Sequence, residues 1–66
     1  MFDDIPRHTL IRLIGREGFF LVKCKIQEYH GGKYVTCYLG QFFVSEVDCY
    51  TTRCYTNQIE SIMEDI

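Results

Sequence analysis

No run of this chain approaches the roughly 18 apolar residues that a membrane-spanning helix needs, and the opening MFDDIPRH is acidic where a secretory signal is basic. These two absences set the expectation of a cytoplasmic protein with no membrane partner. Tryptophan is missing, and the single proline, Pro6, stands outside every strand-like stretch. No internal repeat, low-complexity segment or linker divides the sequence, so one small domain spanning residues 1–66 is expected. A net charge of −2 gives no general attraction to phosphate or anionic lipid, and any basic site must be a local patch.

Chemical signatures are equally scarce. Zinc requires about four Cys or His ligands, commonly in closely spaced pairs. Here Cys49 and Cys54 form an isolated pair, and His8 and His30 lie far apart in the sequence. A catalytic nucleophile needs a base within reach and a donor for the oxyanion, and no nucleophile elbow is present. GREG and HGG lack the strand-to-helix setting of a phosphate loop and read as turns. The carboxylates Asp3, Asp4, Glu60, Glu64 and Asp65 crowd the two ends, where solvation accounts for them. The expectation is a protein that is not an enzyme, with no cofactor and no metal.

What the chain does contain is apolar surface. Its 47% hydrophobic and 24% charged residues are ordinary globular composition, unlike that of a disordered chain. Five Tyr and five Phe are more aromatic area than a core of this size easily hides. A chain of 66 residues lies near the lower limit for a self-sufficient core. Four cysteines are present, and without an export signal reduced thiols are expected.

Strand-like and turn-like segments alternate through HTLIRLI, GREG, FFLVKCKIQEY, HGG, KYVTCYLGQFF, VSEVD and CYTTRCYT. This spacing predicts a mainly β fold, a small antiparallel meander or SH3-like barrel of about four to five strands with a short C-terminal helix. The likeness to SH3-like barrels is architectural and carries no motif. With Gly31 and Gly32 central in a hairpin turn, Glu28 faces Val35, Ile26 faces Cys37, Cys24 faces Leu39, Val22 faces Gln41 and Phe20 faces Phe43. That aliphatic set is the expected core face. A turn at Arg16–Glu17 places Leu13 against Phe20 and Ile11 against Val22, on the same face. The alternative is an α+β fold with a helix over residues 5–14, capped by Asp4 and closed by Gly15.

The opposite face divides along its length. Leu10, Ile14, Phe19, Leu21 and Phe42 gather near GREG, and Tyr29, Tyr34 and Tyr38 with Lys25 near HGG. Ile59, Ile62, Met63 and Ile66 recur at helical spacing after Asn57, so the tail is expected to cover the aliphatic half as a helix. The tyrosines are then left facing outward. Cys24 and Cys37 are expected as diagonal neighbours on the core face, too far apart for a disulfide. Cys49 and Cys54 pair only across a tight Thr-Thr turn, and a single strand through them sends the two to opposite faces.

Exposed tyrosines carry large rigid area at low entropic cost, as interface anchors do. The expected function is therefore a protein–protein interaction module binding a larger protein through Tyr29, Tyr34, Tyr38 and Lys25, with Tyr50 and Tyr55 as candidate additions. A small modulator or inhibitor, of the kind viruses encode against host proteins, fits this profile, and a homodimer through the same patch is the nearest variant. The other class is a small barrel that stacks nucleic-acid bases on these tyrosines beside Lys23, Lys25 and Lys33. The bland reading is that cross-strand Tyr pairs merely stabilise the hairpin, by roughly 0.2–1 kcal/mol each.

Overall fold

The computed structural model describes residues 2–63. Strands β1 (Leu10–Leu13), β2 (Phe19–His30), β3 (Lys33–Phe43), β4 (Cys49–Tyr55) and β5 (Ile59–Ile62) form one antiparallel sheet in the order β4-β3-β2-β1-β5. The first four are the expected meander. A 3-10 turn of three residues, Thr56–Gln58, joins β4 to β5.

That short link dictates the shape of the sheet. Strands at opposite edges of a flat five-stranded sheet lie about 19 Å apart at roughly 4.8 Å per spacing. The four peptide steps from Tyr55 to Ile59 span at most about 14 Å. The open sheet must therefore curl enough to bring Tyr55 within that span of Ile59, and no β4–β5 pairing occurs among the described residues. The concave face holds a core of Ile5, Ile11, Leu13, Phe20, Val22, Tyr38, Phe42, Cys54 and Ile59, with Phe2 packed against it. Each large apolar side chain so buried contributes about 1.5–3 kcal/mol.

Neither the expected C-terminal helix nor the alternative N-terminal one forms among the described residues. Residues 5–14 are not helical: Leu10–Leu13 is β1, anchored where His8 N–H donates to Val22 C=O at 2.7 Å and Val22 N–H donates to Thr9 C=O at 3.0 Å. The C-terminal helix is replaced by a strand. Asn57 lies in the 3-10 turn, Ile59 is buried beside Leu13, and Ile62 pairs with Ile11 and is exposed. Ladder bonds from Ile14 N–H to Gln58 C=O and from Met63 N–H to Leu10 C=O tie this segment to β1. An isolated helix shorter than about 12–15 residues is marginal in water. The bare backbone edge of β1 offers this segment more. Ile66 lies outside the described residues.

The β2–β3 register is as expected from His30↔Lys33 down to Cys24↔Leu39 and then breaks. Lys23 is bulged, so that Val22 faces Gly40 and Phe20 faces Phe42, in place of the expected Gln41 and Phe43. One extra residue exchanges the faces of β2. Phe20 and Val22 thus join Tyr38 and Phe42 in the core, and the expected core set of Cys24, Ile26, Val35, Cys37 and Leu39 becomes the convex face. Gly40 permits the bend, because a Cβ there would lie 2.0 Å from the Leu21 carbonyl oxygen and 3.0 Å from the Phe20 ring. The β1–β2 register is Ile11↔Phe20, displaced by an even step from the expected pairing. Ile11, Leu13, Phe20 and Val22 therefore still share the buried face.

Candidate functional site

The hairpin outruns its neighbours. Pairing of β4 with β3 ends at Tyr55↔Cys37, and β1 pairs with β2 at Phe20 and Leu21. Beyond these points β2 and β3 pair only with each other among the described residues, and the molecule measures 39 × 21 × 21 Å. At the tip of this arm Gly31 and Gly32 both take positive φ, 54° and 86°, as a two-residue turn with native strand twist requires. Tyr29 and Tyr34 face each other immediately behind it, 65% and 71% exposed. Their rings meet edge to face at 5.1 Å between centroids, the arrangement ring quadrupoles favour. Lys33 beside them forms no ion pair among the described residues.

Tyr38, expected in the same exposed patch, is in the core. Its ring is 0% exposed. The hydroxyl donates to Phe2 C=O at 2.7 Å and accepts from Ile5 N–H at 3.0 Å, holding the N-terminal segment over the concave face. A phenol suits this position because its ring fills the core and its oxygen serves two backbone groups. Lys25, opposite Tyr38 in the register, donates to Asp3 C=O and to the Asp4 carboxylate, both at 3.2 Å. It ties down the same segment.

Tyr55 and Tyr50 are placed elsewhere again. On the convex side of the arm the Glu28 carboxylate accepts from His30 Nε2 at 3.0 Å, from the Tyr55 hydroxyl at 2.8 Å and from the Arg53 guanidinium. Hydrogen bonds from His30 and Tyr55, with the Arg53 charge, hold Glu28 below the usual carboxylate range. The bond to Glu28 pushes the Tyr55 phenol up. This cluster braces the base of the arm against β4. Tyr50 lies at the far end of the sheet, its hydroxyl accepting from Arg16 and its ring tilted against Phe42 at 5.8 Å. The Arg16 guanidinium also stacks on Phe42, 4.3 Å from the ring centroid. Of the six expected anchors, only Tyr29 and Tyr34 share an exposed aromatic patch.

A second surface escaped sequence reasoning. On the convex face Leu21, Cys24, Ile26, Leu39 and Phe43 are half-buried, with Phe19 and Phe43 stacked at 5.1 Å. A recess of about 440 Å³ opens there, lined by Gly18, Phe19, Phe43, Val44, Ser45 and Glu46. A shallower one of about 410 Å³ lies between His30, Val35 and the 3-10 turn. The only sequence signal for this face was the doubled apolar pattern itself.

All four cysteines are free thiols. Cys49 is exposed, and Cys54 is buried on the other face of the same strand. Burial pushes the Cys54 thiol up to about 11 and also raises that of Cys37. Among the described residues no group of three or more His, Cys, Asp or Glu is arranged to hold a metal ion, and no helix is long and apolar enough to cross a membrane. Comparison with protein-family models, with curated proteins and with solved structures finds no match.

Proposed function

We propose that this is a non-enzymatic interaction module, curled in the manner of SH3-like barrels, that modulates a larger cytoplasmic protein by docking the tip of its β2–β3 arm. The observation that carries this reading is the pair Tyr29 and Tyr34, more than half exposed on a hairpin tip that no other strand flanks among the described residues. Two rings already locked edge to face lose little freedom on docking, which is what gives tyrosine its value as an anchor. With Lys33 beside them, the tip fits an apolar cleft rimmed by carboxylates. The SH3-like description is supported by the strand order and the short 3-10 link between the edge strands. Binding of nucleic acid through the same tyrosines is the weaker reading, because the Lys25 ammonium is already engaged by Asp4 and Tyr38 is withdrawn into the core.

The test is the double variant Tyr29→Ser, Tyr34→Ser. The proteins that native chain captures from lysate are identified, and the foremost is titrated in purified form against both chains. The variant should stay folded and bind at least about tenfold more weakly. Equal binding by both chains removes the tip from the interface. Capture that is instead abolished by nuclease treatment, with binding to a single-stranded oligonucleotide that collapses between about 50 and 200 mM salt, identifies a nucleic-acid ligand and overturns the reading.

A further inference from the structure

We propose that the free edge of β4 is a self-association site, through which two copies join about a two-fold axis at Thr51. This is independent of the arm-tip reading. Strand polarity decides which backbone groups face the open edge. In an antiparallel ladder, residues alternate between exchanging hydrogen bonds with the partner strand and directing N–H and C=O away from it. Val44 N–H donates to Asp48 C=O at 2.9 Å, which makes the following pair, Phe43↔Cys49, a non-hydrogen-bonded one. By alternation Cys49, Thr51, Arg53 and Tyr55 all point their backbone groups away from β3. Tyr55 is an independent check, because its N–H bonds the Gln58 side chain at 2.9 Å instead of β3. No other strand pairs with β4 among the described residues, and Cys49, Thr51 and Arg53 are exposed. The N–H and C=O groups of these three residues are left open.

Other open stretches are blunted as natural sheet edges are. The unflanked stretch of β2 carries the bulge and Lys23, the unflanked stretch of β3 is four residues long and begins at Lys33, and β5 is four residues long. β4 has neither bulge, lysine nor proline over CYTTRCY. Its flanking charges also favour the antiparallel arrangement: Glu46 and Asp48 precede the strand, and Arg53, whose guanidinium also binds Glu28 of its own copy, lies near its end. Antiparallel pairing of two copies sets the acidic end of one along the basic end of the other, whereas parallel pairing sets like beside like. Centring the axis on Thr51 pairs Thr51 with the second copy's equivalent residue and Cys49 with its Arg53. All three outward residues are then used and the occupied Tyr55 N–H is spared. The contact is isologous and closes at two copies.

Molecular mass is followed by sedimentation equilibrium across about 5–500 µM protein, the range over which a weak dimer forms by mass action. A monomer–dimer equilibrium is expected. In parallel, amide exchange of Cys49, Thr51 and Arg53 should slow as concentration rises, while that of exposed loop residues such as Val47 does not change. Thr51→Pro removes an N–H that the monomer does not use and is tolerable at a strand edge. It should stay folded and weaken association at least about tenfold. Thr51→Lys sets two like charges across the axis, and should dissociate the dimer at low salt and recover partly at high salt. It decides the matter should the proline variant not fold. Tyr29→Ser with Tyr34→Ser should leave the dimer intact. A monomer throughout the range, a dimer indifferent to the Thr51 variants, or masses above two copies overturns the proposal.

Discussion

Replacing Tyr38 by Phe removes one oxygen atom and leaves the ring where it is. That oxygen accepts from Ile5 N–H in a buried bond and donates to the part-buried Phe2 carbonyl. Orphaning a buried amide costs about 1–3 kcal/mol, and losing the carbonyl's partner where water can take its place costs about 0.5–1.5 kcal/mol. Their sum is about 1.5–4.5 kcal/mol. Escape by peeling the N-terminal segment away exposes Ile5, now 5% exposed, and forfeits a similar amount, about 1.5–3 kcal/mol. In a domain of this size each kcal/mol moves the melting temperature by about 4–8 °C, so a fall of at least about 6 °C is expected. Thermal and urea melts of the wild type and Tyr38→Phe measure it. Tyr34→Phe is the control, since the Tyr34 hydroxyl has no hydrogen-bond partner among the described residues. Should Tyr38→Phe melt within about 2 °C of wild type, the two-sided hydroxyl bridge does not exist as described.

Two further perturbations bear on the bend and on the brace of the arm. Gly40→Ala forces a Cβ to 2.0 Å from the Leu21 carbonyl oxygen, a backbone atom that cannot swing aside. It should lose about 3 kcal/mol or more, and a urea midpoint equal to wild type would contradict the bulged β2–β3 register. Glu28, held below the usual carboxylate range by His30, Tyr55 and Arg53, binds its proton less readily folded than unfolded. Its contribution to stability is therefore complete above the ordinary carboxylate pKa and is lost as pH falls through the lowered, folded value. Glu28→Gln should melt lower than wild type at neutral pH and show a shallower decline across the acid range. Parallel acid profiles would mean that Glu28 does not brace the arm.

Much of the sheet was legible in the chain, for local reasons. The glycine doublet at residues 31 and 32 admits a two-residue turn, and the alternation on either side aligns the hairpin as far as Cys24↔Leu39. The even displacement in β1 kept Ile11 and Leu13 on the buried face, because side chains repeat every two residues. The candidate site was legible only at the tip, where Tyr29 and Tyr34 follow from the turn alone. Tyr38 was misplaced because its exposure depends on events across the bulge, on the far side of Lys23 and Gly40.

Sequence alone determined that this chain forms antiparallel strands about glycine turns, and that two tyrosines face each other at the end of a hairpin. Turn chemistry and a period of two act over a few residues and need no knowledge of the rest. Tertiary structure decided which face is inside. A single bulged residue exchanges the faces of β2, and whether it is inserted depends on how Phe20 and Val22 pack with Phe42 and Tyr38 once the sheet has curled. It also decided the tail, since the apolar spacing of residues 59–63 is helical, and the unpaired edge of β1 selects a strand that leaves Ile62 exposed.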